Sequence, residues 1–467
     1  MDEALFTNIR LKRDTHYFIY VGELKAYPLN AYLRETLSRL HHTAVDFLAI
    51  IPDVLARYDT PNVMVINPVA QKLAGAMGKP VTCRMAAEVF AFEVSRHPAV
   101  IALIETLRRN QPQILTYQFE SVPELTLDRF PGVRMIGPGK DLSRRWNNKI
   151  YQHHVLKGLL PLADFEVSEG FPETLEKTEH LLSVWTDGVH ISLESGGGGS
   201  NSCVVLPSDD VGAKVRRTLG GGHGPYLLSR FIPHEYDPTV LAVVANESDV
   251  CIGGVADQQI EDLNKFKGST FPSVLPKRLV ACLREYTKRV GRVMGKSGYR
   301  GIFGCDFLID GEENVIFLEI NARKQGTTME MCCTAENALP IGSPSLPELE
   351  YRAVTENRFP SHTAEIAENP GRIHWGTYNY KLDRDISTNG HTPPLQKDER
   401  TMFQHIARAR SEEEAFCIVE SIGSNHVVKA GTFLGRVVSV ATHRSGVDRG
   451  LTKGREQLEK TIGDGIP

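Results

Sequence analysis

The chain has 467 residues, 41% of them hydrophobic and 24% charged, with a formal net charge of −4. Such a length exceeds one core and predicts roughly two to four domains, while the near-neutral charge gives no general reason to bind nucleic acid. No apolar run reaches the roughly eighteen residues of a membrane span, the start M-D-E-A-L-F-T-N-I-R lacks the basic and apolar segments of a signal peptide, and the eight scattered cysteines, without C-x-x-C, suit free thiols in a reducing cytoplasm.

Residues 1–135 read as an α/β unit. H-Y-F-I-Y-V at 16–21 is a strand, and Leu29, Leu33, Leu37 and Leu40 then mark one face of a helix. Residues 63–66 and 114–119 are further strands. Between them Val100, Leu103, Ile104 and Leu107 define a helix that starts after Pro98 and ends at Arg108-Arg109. Alternating strands and helices predict a small parallel sheet. The absence of G-x-G-x-x-G argues against a dinucleotide.

From Ile136 the composition changes. Gly137-Pro138-Gly139 is a turn, Leu142, Trp146 and Ile150 share a helical face, Lys149 sits beside it, and His153 and His154 are expected at the surface. Residues 189–193 are a strand, followed by Gly196, Gly197, Gly198, Gly199 and Ser200 and a second strand from Cys203. Consecutive glycines let backbone amides wrap a phosphate without interference from Cβ atoms. A second glycine cluster at 220–222 precedes a strand over 226–232, and 240–244 and 250–255 continue the sheet. Lys265-Phe266-Lys267-Gly268 reads as a basic turn. A helix follows Pro276 and buries Leu279, Leu283, Tyr286, Val290 and Val293. Its G-R-V-M-G-K-S is one residue short of a P-loop and follows a helix, so it is not one.

Residues 301–326 carry the densest chemistry. Two apolar runs separated by Asp, Gly and Asn predict a β-hairpin. With 311–314 as the loop, Asp310 lies opposite Val315, and counting back sets Asp306 opposite Glu319. Opposed residues have Cβ atoms roughly 4.5–5.5 Å apart, and two carboxylates that close repel by about 3 kcal/mol at an effective dielectric of 20. A hard cation is the simplest compensation. Alternation places Glu319, Asn321 and Arg323 on one face and Ile316, Leu318 and Ile320 in the core, with Gly304 leaving open space opposite Asn321. Oxygen ligands of this kind suit Mg²⁺. Beyond the hairpin, Cys332 and Cys333 are expected to pack in a helix that closes this region. A Pro-rich stretch leads to a small α+β tail with strands over 373–380, 427–428 and 436–440 and a capping box, Ser411 to Glu414, before 415–419.

An Asp on one strand followed by Glu-x-Asn-x-Arg on the next, here Asp306, Glu319, Asn321 and Arg323, resembles the metal-binding end of the ATP-grasp superfamily. The resemblance implies an architecture both α/β and α+β in three parts: a Rossmann-like pre-ATP-grasp domain (1–135), an ATP-grasp nucleotide domain (136–358) and a small C-terminal α+β domain (359–467). It implies that Asp306, Glu319 and Asn321 hold one or two Mg²⁺ ions, with Mn²⁺ as a substitute, on the phosphates of ATP. By the same resemblance Lys149 reaches the phosphates, Gly196, Gly197, Gly198, Gly199 and Ser200 form the flap over them, and Arg230, Phe231 and Ile232 form the adenine hinge. Glu235 would meet the ribose, Lys267 a phosphate or the substrate, and Arg323 the substrate carboxylate or its acyl phosphate. The family usually has a lysine just before the glycine run, where this chain has Leu193, Glu194 and Ser195; Lys214, Arg216, Arg217 and Lys267 are the alternatives. The implied activity is an ADP-forming ligase joining a small-molecule carboxylate to an amine in the cytoplasm, as a monomer or homo-oligomer. No Ser–His or Cys–His nucleophile is needed. Biotin-carboxylase-like chemistry, a kinase and a non-catalytic ATP-binding regulator are the alternatives. The three-part layout with a sizeable tail also resembles pheganomycin-type peptide ligases.

Overall fold

The computed structural model describes residues 6–54, 62–196, 201–220, 224–367, 371–391, 393, 398–419, 422 and 425–465. Near the amino end, apolar runs form a six-stranded sheet in the order Phe6–Asn8, Val63–Val65, Val45–Ile51, His16–Val21, Ile114–Gln118 and Val133–Ile136. Only the pairing of Phe6–Asn8 is antiparallel; the rest are parallel. Parallel neighbours require crossovers, usually helices. Here Leu29–His41 buries Leu29, Leu33 and Leu37, and Pro98–Asn110 buries Val100, Leu103, Ile104 and Leu107. Pro98 stands in the first turn, where its missing N–H has no partner to lose.

Two antiparallel sheets follow. The smaller runs in the order Ser202–Val205, Val189–Leu193, Tyr226–Arg230 and Phe165–Ser168. The helices Phe171–Leu182 and Val211–Leu219 close one of its faces, packing Leu181, Val215 and Leu219 with Val189, Ile191, Tyr226 and Leu228. Strand alternation then turns His190, Ser192, Leu227 and Ser229 to the opposite face, where they line a cavity. The larger sheet has eight strands in the order Val315–Asn321, Gly301–Ile309, Pro238–Val244, Val250–Glu261, Lys265–Phe271, His374–Lys381, Phe433–Ala441 and Glu414–Val419. The helix Lys277–Lys296 buries Leu279, Leu283 and Val290 against it. The last three strands come from beyond residue 358, so hydrogen bonding continues from the hairpin into the carboxyl-terminal region. A fourth, four-stranded sheet pairs Val81–Thr82 of the amino-terminal region with Val427–Val428.

Some expectations are overturned. Leu142 and Ile150 do not share one helix: the chain breaks at Asn147-Asn148 into Lys140–Trp146 and Lys149–Leu156, because the Asn148 side chain caps the second segment by accepting from the Tyr151 amide. Residues 265–268 are not a turn but the start of the strand Lys265–Phe271. The Ser411 capping box precedes a strand, Glu414–Val419, whose pairing with Phe433–Ala441 outweighs the local helix signal. The helices Leu346–Glu356 and Arg444–Glu459 were not foreseen. Cys332 and Cys333 are buried in the helix Thr328–Ala338, and burial pushes both thiols up, as packing residues should be. Among the described residues, no helix is long and apolar enough to cross a membrane.

Candidate active site

A cavity of about 210 Å³ lies between the two antiparallel sheets. The hairpin Gly301–Ile309 and Val315–Asn321 forms one end of it. Asp306 faces Glu319, and Gly304 faces Asn321, as the sequence predicts. The loop end does not follow the prediction. Ile309, not Asp310, pairs with Val315, while Asp310 turns its carboxylate onto the amides of Glu312 and Asn314. A bulge restores the register: Phe307 faces Phe317 and Asp306 faces Glu319, so Leu318 is the extra residue. The bulge also reverses which side chains face inward. Val315 and Phe317 before it, and Ile320 and Ala322 after it, enter the core. Ile316 and Leu318, expected in the core, line the cavity instead, on the same face as Glu319, Asn321 and Arg323.

These polar groups form one connected set. Asp306 accepts from Thr239 Oγ1 at 2.6 Å and from Asn321 Nδ2 at 2.8 Å. Arg323 donates to Asn321 Oδ1 at 2.8 Å and lies 3.4 Å from Glu120. Lys149 Nζ lies 2.8 Å from Glu319 Oε2. Burial, then the charge of Glu319, pushes the Asp306 carboxyl up to about 6. Burial acts on Glu319 in the same sense, but the Lys149 ammonium, its hydrogen bond and Arg323 outweigh it, so Glu319 ends below the usual carboxylate range. The opposed acids therefore differ: a proton taken up by the pair goes to Asp306. The space expected at Gly304 is filled by Gln325, whose carboxamide a Cβ at residue 304 would overlap. Gln325 donates to Thr239 Oγ1 at 3.1 Å.

Most predicted residues meet here. Lys149, Arg230, Phe231, Ile232, Asp306, Glu319, Asn321 and Arg323 all line the cavity. Gly196 has φ +115°, a conformation that suits glycine; Gly197, Gly198, Gly199 and Ser200 lie outside the described residues, as do Gly221, Gly222 and His223. Glu235 is exposed and its side chain approaches Gly311 at the hairpin loop. The cavity wall there is His234, held 3.0 Å from Asp237. Lys267 pairs with Glu261 at 3.2 Å and is not part of the lining; nor are Lys214, Arg216 and Arg217. Leu193 packs among the apolar residues behind the sheet.

His153, expected at the surface, is buried and lines the cavity; its Nδ1 lies 2.9 Å from the Lys149 carbonyl. Burial lowers both His153 and His190 to about 4, so both imidazoles are neutral at physiological pH. Sequence reasoning missed His190, Ser192, Thr239, Gln258 and Gln325. Alternation through 319, 321 and 323 points on to Gln325, and alternation along 189–193 points to His190 and Ser192. Thr239 faces Asp306 only through the pairing of distant strands, which leaves no local trace.

The donor set fits a hard cation. Among the described residues no three His, Cys, Asp or Glu side chains cluster as metal ligands, but two carboxylates and a carboxamide oxygen with phosphates and water satisfy Mg²⁺. A phosphate chain also has a ready donor: Ser192 Oγ is fully buried, faces the cavity and has no partner among the described residues.

No family model matches the chain. It is 27% identical over 206 residues to the [butirosin acyl-carrier protein]–L-glutamate ligase of Niallia circulans, covering 42% of this chain and 47% of that one. It is 30% identical over 129 residues to the L-propargylglycine–L-glutamate ligase of Streptantibioticus cattleyicolor, covering 27% of this chain and 25% of that protein. The chain thus spans about half the length of the first relative and about a quarter of the second. Its fold matches that of a biotin carboxylase–ATP complex from Campylobacter jejuni with a TM-score of 0.62, over 97% of this chain and 93% of that one, at 14% identity. Likeness along nearly the whole chain shows that the protein has the fold of the ATP-grasp enzymes, and its likeness of sequence to two ligases covers less than half of it.

Proposed function

We propose that this protein is an ATP- and Mg²⁺-dependent ligase that joins a small-molecule carboxylate, an amino acid or short peptide, to an amine, releasing ADP and phosphate. One observation carries the reading: two acids opposed across a hairpin, Asp306 and Glu319, are held with Asn321 and Arg323 in a cavity between two sheets. Two relatives named as ligases of L-glutamate support the amide-forming chemistry. On this reading 1–135, 136–358 and 359–467 are the pre-ATP-grasp, nucleotide and C-terminal domains.

A carboxylate oxygen of the acid attacks the γ-phosphorus, and ADP leaves with the bridging oxygen. The amine nitrogen then attacks the acyl carbon, loses a proton, and phosphate departs. Asp306, Glu319 and Asn321 would hold Mg²⁺, which supplies charge neutralisation at the phosphates. Lys149 and Ser192 contact the phosphates, Arg230, Phe231 and Ile232 flank the base, and Arg323 stabilises the oxyanion. Lys149 must exchange Glu319 for phosphate as the nucleotide enters. Position and charge carry such catalysis.

Incubation with ATP, Mg²⁺, candidate amino acids and hydroxylamine tests the proposal. Hydroxamate with ADP is expected; AMP and pyrophosphate would contradict it. The second reading is a non-catalytic nucleotide binder, favoured by Leu193, which stands in place of the usual lysine and packs behind the sheet. Tight ATP binding with no turnover across a broad panel of acids and amines would select it.

A further inference from the structure

Beyond the groups already used, the cavity holds hydroxyls that nothing among the described residues satisfies. Ser269 Oγ and Thr327 Oγ1 sit on residues that are 0% and 3% exposed, and neither has a hydrogen-bond partner among the described residues. Both residues line the cavity. Buried hydroxyls are nearly always hydrogen-bonded, because leaving one dry and unpaired is costly. The surrounding backbone is held firmly. The Ser269 amide donates to Thr377 Oγ1 at 3.0 Å, so the strand is fixed while the Ser269 hydroxyl is left over. Thr327 is the N-cap of the helix Thr328–Ala338, yet its side chain does not cap it. A threonine there ordinarily turns its oxygen back onto the first-turn amides.

Other groups hold that turn in its place. The Gln325 amide donates to Thr328 Oγ1 at 2.9 Å, the Thr328 amide to the Gln325 carbonyl at 3.1 Å, and Arg436 to the Gly326 carbonyl at 2.6 Å. Glu330, the acid in the first turn, is paired with Arg436, so its charge does not oppose an incoming anion. First-turn amides lack partners in their own helix and favour anions. Arg323, Gln325 and Gly326 line the same cavity.

We infer that Ser269, Thr327 and the amino end of the helix Thr328–Ala338 seat an oxyanion beside Arg323, namely the carboxylate of the acid that becomes activated. This rests on the ligase reading. The phosphates have donors of their own in Lys149 and Ser192. The two unsatisfied hydroxyls therefore belong to the second ligand, which they hold with its oxygen towards the nucleotide. Both are donors that a carboxylate accepts in full, whereas a neutral amide satisfies them less well.

The test uses the full chain with Mg²⁺ and ADP, titrated calorimetrically with L-glutamate, acetate and inorganic phosphate, alongside ADP release from ATP with L-glutamate. Ser269→Ala and Thr327→Ala are each expected to weaken carboxylate binding by about ten- to a hundredfold, the range of a hydrogen bond to a charged group. Thr327→Ser retains binding, affinity for ATP stays within about twofold, and neither alanine variant melts below the wild type, because each loses an unpaired hydroxyl. The inference is overturned if both alanine variants bind carboxylate as the wild type does. Equal losses for ATP, or phosphate preferred to carboxylate, would assign the hydroxyls to the γ-phosphate instead. A wild type that binds none of the three probes also ends it. Carboxylate bound without any ADP release would end the ligase reading and leave this subsite standing.

Discussion

Arg323 and Lys324 are neighbours in sequence and point to opposite worlds. Arg323 faces the cavity, within reach of Asn321 and Glu120. Lys324 is buried at 2% exposure, 2.8 Å from Glu350 on the helix Leu346–Glu356, 2.5 Å from the Gln118 carbonyl and over the Tyr117 ring. Set beside the Lys149–Glu319 pair, also 2.8 Å long, the contrast sharpens. The core pair joins the amino-terminal sheet, the post-hairpin loop and a helix. The cavity pair has side chains 15% exposed and a second acid, Asp306, pressed against Glu319. One pair is a permanent staple. On the proposed ligase reading, the other is a provisional contact that a ligand replaces.

Breaking each pair should therefore have opposite readouts. Glu319→Gln is expected to lower turnover by about a thousandfold, at the upper end of losing one preorganised electrostatic group, while the melting temperature barely moves. ADP-release assays and thermal melts on one preparation decide this, and full activity would remove Glu319 from the site. Lys324→Met strands Glu350 in the core and should cost about 3–5 kcal/mol of stability. Lys324→Met with Glu350→Leu should recover most of that loss, because an apolar pair of similar volume needs no compensating charge. Urea unfolding of the single and double variants measures both. A single variant as stable as the wild type would show that the pair holds nothing together.

The sequence discloses these two pairs unequally, and the reason is range. Asp306 opposite Glu319 follows from counting along one hairpin, and it survives a wrong guess at the loop because the bulge at Leu318 compensates. The inward faces did not survive, since a bulge reverses alternation and no local signal marks it. Lys324 with Glu350, Thr239 with Asp306 and Val81 with Val427 join segments far apart in the chain. No periodicity encodes those partners. The amino-terminal sheet was legible in part: the strands at 16–21, 63–65 and 114–118 stand out as apolar or β-branched runs, whereas Phe6–Asn8, Val45–Ile51 and Val133–Ile136 were not foreseen. The helix Arg444–Glu459 was not foreseen either, because its glycines are what let it lie close: Gly450 and Gly454 pack on Ser439 and Val437 of the sheet.

Arg323→Ala comes next in size. The guanidinium now bridges Asn321 and Glu120, both of which keep other contacts: Asn321 on Asp306, and Glu120 on Asn147 at 3.1 Å. Its loss should cost turnover about a hundredfold and leave ATP affinity within about threefold. Nucleotide titration beside steady-state kinetics separates the two, and equal losses in both would make Arg323 a phosphate ligand rather than a substrate one.

The smallest effect is a pH dependence of magnesium binding. Asp306 keeps its proton up to about pH 6, above its usual 3.8, because burial and Glu319 both disfavour the second charge. Without metal, the folded state then binds more protons than the unfolded state between those values, so stability falls as pH rises through that window. A cation must displace the same proton, so its affinity should fall by roughly tenfold per pH unit below about 6 and level off above. Thermal shifts with and without Mg²⁺ at pH 5 and pH 7.5 measure this, and the gain at pH 7.5 should be larger by about 1 kcal/mol. His153 and His190, lowered to about 4, stay neutral across the window, whereas His234 is held above its usual value by Asp237 despite its burial. Asp306→Asn provides the control: it should abolish the difference. Equal gains at both pH values in the wild type would mean that the cation, wherever it binds, does not compete for the proton on Asp306.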